Sequence, residues 1–126
     1  MKSTYQIIAA AIATSLLAVG CATSSKPSKT VSQVMEEGFK GKESLNARIS
    51  KGEASAADFK LMASLTKELA KNKPGYGDLA SWTEKTAALH AAAEGLVAGK
   101  PGALDAYKAA SNCKACHSAH RPPEKH

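Results

Sequence analysis

The run Cys113-Lys114-Ala115-Cys116-His117 holds the residues with the clearest capacity for chemistry. It has the C-x-x-C-H form in which two thiols add to the two vinyl groups of a haem while the neighbouring imidazole reaches the iron. The spacing suits a helix. Cys113 and Cys116 are three residues apart and His117 is four from Cys113, so all three face one side. Two other uses of such residues compete. A redox-active C-x-x-C shuttles between dithiol and disulfide, but that site usually opens a helix after a strand, and no strand pattern precedes this one. A zinc site needs a fourth ligand, and its cysteine pairs usually come twice. The expectation is one covalent haem c.

The start of the chain agrees with export, and bacteria attach haem covalently outside the cytoplasm. Met1-Lys2 is followed by an apolar stretch from Ile7 to Val19 and then by Gly20-Cys21. A positive start, a short apolar run and a small residue before the cleavage point make a secretory signal over residues 1–20. The stretch is short for a spanning helix. Leu17-Ala18-Val19-Gly20-Cys21 resembles a bacterial lipoprotein box, with Cys21 as the lipidated first residue of the mature chain. The alternative is an ordinary cleaved signal that leaves a free thiol. Acyl chains on Cys21 hold a protein at a membrane face, each buried methylene contributing about 0.8 kcal/mol. All three cysteines then have an assignment, Cys21 to lipid and the other two to haem, and no structural disulfide remains. Ala22 supplies no acidic retention signal, which favours the outer over the inner membrane for a periplasmic, lipid-anchored protein.

Charge narrows the partners. The net charge is +6, and loss of residues 1–20 removes only Lys2, leaving 16 basic against 11 acidic residues. A mild positive charge suits docking to acidic patches on periplasmic or membrane redox proteins, and it is also what a Lys-rich helical surface carries. No dense Arg/Lys cluster with interleaved aromatics supports nucleic-acid binding. No acid/base pair, nucleophile constellation or phosphate loop marks an enzyme.

The elements that must position the motif are helical. The 126 residues suffice for one domain, and a chain rich in Ala and Lys and poor in aromatics favours helix over strand. Residues 21–30, small, polar and Ser-rich, read as a flexible tether. The domain then covers residues 31–121, with an irregular tail over 122–126. The first helix opens at a Thr30-x-x-Gln33 capping box and runs to Lys51, ending at Gly52. Gly38 and Gly41 inside it hint at a break or a close approach, each costing up to about 1 kcal/mol relative to Ala. The second opens at Ser55, buries Phe59, Met62, Leu65 and Leu69, and ends near Lys73 before Pro74. The third opens at a Ser81-x-x-Glu84 box, buries Trp82, Leu89, Ala93 and Leu96, and ends at Gly99. The fourth, with Pro101 in its first turn, continues through Cys113 to His120. Short links between such helices give an all-α, up-down-up-down four-helix bundle with the haem motif at its C-terminal end.

An attachment motif at the far end of a four-helix bundle resembles the class II c-type cytochromes, the cytochrome c-prime and c-556 group. Class I cytochromes c carry the motif near the N-terminus. The resemblance covers roughly residues 30–121 and is most specific at the end of the fourth helix. There the family often reads C-K-x-C-H-x-x-Y-R, and this chain reads Cys113-Lys114-Ala115-Cys116-His117-Ser118-Ala119-His120-Arg121. Arg121 matches, and His120 stands where an aromatic is common. The resemblance also raises a homodimer. It implies that the other axial position is either vacant, as in c-prime proteins, or filled by a Met of the first helix, as in c-556-like proteins.

Bundle geometry discriminates among the candidates for that position. Met35 is about four residues into the first helix, roughly 6 Å along its axis, which puts it level with the haem. Gly38, one turn on, would leave the macrocycle unobstructed. Met62 is roughly 15 Å and His90 roughly 12 Å from that level. Met62 reads as a core filler, and His90 and His126 as bystanders. His120, on the His117 side, cannot cross the iron plane. Phe39, Trp82 and Leu69 are candidate pocket walls, for which plain core is the competing reading. His117 and Met35 as axial ligands describe a one-electron carrier. A vacant position describes a protein that binds or senses small gases such as nitric oxide or carbon monoxide. A haem-free structural or metal-binding lipoprotein is the alternative of another class.

Overall fold

A computed structural model describes residues 26–123. The expected signal segment, Cys21 with its lipid, the first half of the tether and His126 lie outside the described residues. Six α-helices and no strand occur among the described residues: α1 (Val31–Gly38), α2 (Leu45–Lys51), α3 (Ala56–Lys71), α4 (Leu79–Val97), α5 (Ala103–Ala110) and α6 (Cys113–His120). None of them is long and apolar enough to cross a membrane.

Both long outer helices of the sequence reading are broken. The first stops at Gly38, and a turn through Gly41, at φ +98°, leads to Ser44, whose hydroxyl accepts from the Ala47 N–H and caps α2. Gly is the residue that takes that left-handed conformation at little cost. The fourth starts at Ala103 rather than Pro101 and breaks at Ser111-Asn112, where the Asn112 side chain accepts from the Ala115 N–H and caps a separate α6. In both places a side chain with good capping chemistry outcompeted continuation of the helix. The middle helices also differ at their ends. α4 opens at Leu79, capped by Asp78, one turn before the expected Ser81 box. α3 stops at Lys71, because the Asn72 side chain donates to the carbonyls of Lys29 and Glu68. The box at Thr30/Gln33, the opening of α3 after Ser55 and the left-handed stop at Gly52 are found as expected.

α4 is the central helix. It packs against α3, α5 and α6, while α1 and α2 lean on α3 and α2 also reaches α5. A helix with neighbours on several sides needs apolar residues around most of its circumference, which its Ala-rich sequence supplies. The core runs from Val34, Leu45 and Ile49 through Met62, Leu65 and Leu69 to Trp82, Leu89, Leu96 and Tyr107. The Tyr107 hydroxyl donates to Asn46 Oδ1 at 2.8 Å and so ties α5 to α2. Burial, with a smaller push from Cys113, moves that phenol well above its ordinary value, so it stays a donor.

The last residues of the expected tether are held against the bundle. The Ser28 N–H donates to Glu68 Oε2 at 2.6 Å, and the Lys29 carbonyl accepts from Asn72. Lys71 and this N–H pull the Glu68 carboxyl down to about 2 from an ordinary 4.5. A depressed carboxyl contributes fully above 4.5 and loses its contribution as pH falls through 2. The Ser28 amide resonance should therefore titrate with a midpoint near 2 and lose that titration in Glu68→Gln. A midpoint near 4.5 would contradict the tie.

Candidate haem site

The motif forms the first turn and a half of α6. Asn112 satisfies the Ala115 N–H at 3.1 Å, and the helix runs from its cap through both cysteines to His117 without interruption. Cys113 and His117 are exposed and Cys116 is half-buried, and no disulfide joins the two thiols. All three side chains line a cavity of about 480 Å³ whose other walls come from α1, α3, α4 and the end of α5. A second cavity of about 700 Å³ lies beside it and shares Met35, Phe39, Leu69, Cys116 and His117. Together they form one cleft with α6 on one side and α1 on the other. No Cα of α1 comes within 8 Å of a Cα of α6 or α4, so the two helices face each other across open space. Volumes of this order hold a prosthetic group rather than a solvent molecule.

Met35 belongs to both halves of the cleft. It is half-buried on α1 and lines the same two cavities as Cys116 and His117. Leu69 is 2 % exposed and lines both cavities, and Trp82 is 4 % exposed and lines the larger one. The Trp82 indole N–H donates to the Asn72 carbonyl at 2.8 Å, which fixes the ring at the mouth of the 72–78 loop. Phe39 lines both cavities as the residue just past α1, and it also packs on the core. Arg121 caps α6, its N–H donating to the His117 carbonyl at 3.0 Å, and it borders the larger cavity.

Other candidates fall elsewhere. Met62 is fully buried in the core. His90 faces Thr66 Oγ1 at 3.2 Å and Glu94 at 3.7 Å and borders neither half of the cleft. Gly38 is a close approach, but toward α3 and not toward the cleft. A Cβ there would meet Leu65 Cδ1 at 3.2 Å and Met62 Cε at 3.7 Å. The expected role of Gly38 in clearing room for a macrocycle is therefore replaced by a packing role.

Three further features come only from the fold. Lys85 and Thr86 of α4 border the smaller cavity, and Thr86 turns its hydroxyl back to the Trp82 carbonyl at 2.8 Å. Burial pushes the Cys116 thiol above its ordinary value, Lys85 draws it back, and Cys113 adds to the rise. Redox-nucleophile thiols have depressed values, the opposite direction. His120, expected on the His117 side, is buried and bonded to Ser81 and to the Tyr76 carbonyl.

The donor set fits an iron porphyrin. Two thiols and an imidazole project from one helix, a thioether stands across an apolar cleft, and Leu69, Leu89 and Phe39 provide walls for a flat apolar ring. Among the described residues no three His, Cys, Asp or Glu side chains are placed to hold a bare metal ion. No family model, curated protein or solved structure matches the chain.

Proposed function

We propose that the chain is a monohaem c-type cytochrome that carries single electrons outside the cytoplasm. The observation that carries the reading is the cleft between α1 and α6, into which Cys113, Cys116, His117 and Met35 all converge. The haem, when bound, supplies a one-electron iron couple. The chain's residues supply the rest. Cys113 and Cys116 would hold the group covalently, and His117 would ligate its iron. Met35 would be its second protein ligand, a pairing that favours reduced iron and closes it to added ligands. Leu69, Leu89 and Trp82 exclude water from the ring, and Arg121 and Lys85 put positive charge at its borders.

In this reading α1 with α2 is the first arm of an up-down-up-down bundle, α3 and α4 are the second and third, and α5 with α6 is the fourth. The resemblance to class II cytochromes, of the c-556 type, belongs to the same proposal. So does the lipid on Cys21, which confines the carrier near membrane-bound redox partners in the periplasm and raises its effective concentration there. The protein acts as a carrier and not as an enzyme, alone or as a homodimer.

The visible spectrum of the reduced protein, made with cytochrome maturation machinery, tests the reading. A low-spin six-coordinate spectrum that carbon monoxide leaves unchanged is expected. A high-spin spectrum that shifts on adding carbon monoxide would replace electron transfer by gas binding. Denatured protein without haem absorbance would leave the haem-free reading.

A further inference from the structure

α6 bears three of the four side chains assigned to the haem, yet it is lightly held. Among the described residues it packs on one helix only, α4, and a single α6 residue, His120, is buried. Of the α6 side chains, His120 makes the hydrogen bonds to segments distant in sequence, one to the 72–78 loop and one to α4. Nδ1 lies 3.1 Å from the Tyr76 carbonyl, and Nε2 lies 3.1 Å from Ser81 Oγ. A carbonyl only accepts, so this geometry assigns a proton to Nδ1 and, in the neutral ring, the Ser81 hydroxyl donates to Nε2. The ring also meets Trp82 edge-to-face, with centroids 5.4 Å apart and planes at 82°.

The 72–78 loop is shaped to receive this ring. Gly77 sits at φ +86°, and a Cβ there would collide with the Ala119 carbonyl oxygen and press on His120 Nδ1. A residue without a side chain lets the loop backbone close on the last turn of α6. Ser81 is free for the histidine because Asp78, not Ser81, caps α4.

We infer that His120 is a positioning residue that docks α6 and so sets the bearing of His117 in the cleft. The inference rests on the haem reading for its consequence, though not for the docking itself. His117 and His120 are one turn apart on a short helix, about 4.5 Å along its axis, so a tilt released at one is felt at the other. A plain aromatic at this position supplies the stack on Trp82 alone, and an amide supplies the polar contacts alone. The imidazole does both, which accounts for a histidine where the resemblance leads one to expect an aromatic.

The test uses the full chain matured with haem, compared as wild type, His120→Ala, His120→Phe, His120→Gln and Ser81→Ala. Intact mass reports attachment, hydrogen exchange reports docking, and the ferric paramagnetic resonance spectrum reports how the axial ligands sit. His120→Ala should keep its adduct, exchange its α6 amides about tenfold faster, as befits one or two lost net hydrogen bonds, and leave α3 and α4 protected. Its low-spin signal should broaden or split. His120→Phe and His120→Gln should each restore part of both readouts, and Ser81→Ala should show a smaller change of the same kind. Unchanged α6 exchange and an unchanged low-spin signal in His120→Ala would overturn the inference. Should that variant lose protection throughout, Ser81→Ala decides: α6-only loss supports docking, and none refutes it. Should no chain carry an adduct, the haem reading falls while α6 exchange still judges the docking.

Discussion

Met35→Leu should turn a low-spin ferrous protein that ignores carbon monoxide into a high-spin protein that binds it. Leu keeps the volume and the apolar contact of the side chain on α1, so the core that includes Val34 and Leu65 is little disturbed. What it removes is the thioether, the one sulfur donor on the wall facing α6. The reduction potential should fall by on the order of 0.1 V or more, within the roughly 0.8 V that axial ligands span. Met35→Ala should give the same spectrum, with an added stability loss from the smaller side chain. His90→Ala, at a histidine away from the cleft, should leave spectrum and potential as they were. A low-spin, carbon-monoxide-insensitive Met35→Leu would remove Met35 from the iron while leaving the attachment at Cys113, Cys116 and His117 untouched.

Trp82→Ala should cost the domain about 3–5 kcal/mol of stability. Trp82 is 4 % exposed, donates its indole N–H to the Asn72 carbonyl at 2.8 Å, and carries His120 on its edge. Removing it empties a ring-sized volume, orphans that carbonyl and takes away half of the seat of α6. For a domain of this size the loss corresponds to a fall in Tm of roughly 15–30 °C. Trp82→Phe separates the contributions, since it keeps an aromatic against His120 while losing the bond to Asn72, at about 1–2 kcal/mol, and part of the ring volume. Chemical denaturation of the holoprotein measures both. A Trp82→Ala loss below about 1 kcal/mol would mean that the ring is a replaceable lining of the cleft and not a structural anchor.

The parts of the site that were legible in the chain are the local ones. Cys113, Cys116 and His117 share a face because three and four residues bring a helix round to the same side, whatever the rest of the fold does. Caps made by neighbours, such as Thr30 with Gln33 and Gly52 in its left-handed turn, were legible for the same reason. The place of Met35 on the cleft was legible one step further out, since its distance from the helix start is set by a fixed rise per residue. The breaks were harder. Ser44 and Asn112 announce helix starts, but each lies in a segment whose helix propensity runs on through it, and the competition is decided by small energies. Asp78 and Ser81 are both good caps one turn apart, and the histidine of another helix claims the second.

Lys85, Thr86 and His120 reach the cleft or its mouth through the rotation of α4 on α3 and the docking of α6, and neither has a short-range signature. Gly38 shows the same limit from the other side. A glycine inside a helix signals that something approaches closely. Only the packed structure shows that the neighbour is Leu65 of α3 rather than a prosthetic group.

Intact mass spectrometry of the mature protein, produced in a host competent in cytochrome maturation, tests the central claim most directly. The account predicts a single species heavier than the processed and acylated chain by one porphyrin with its iron. That increment should persist after denaturation and vanish when Cys113 and Cys116 are both replaced by Ser. Mature chain of unadorned mass from such a host would contradict it.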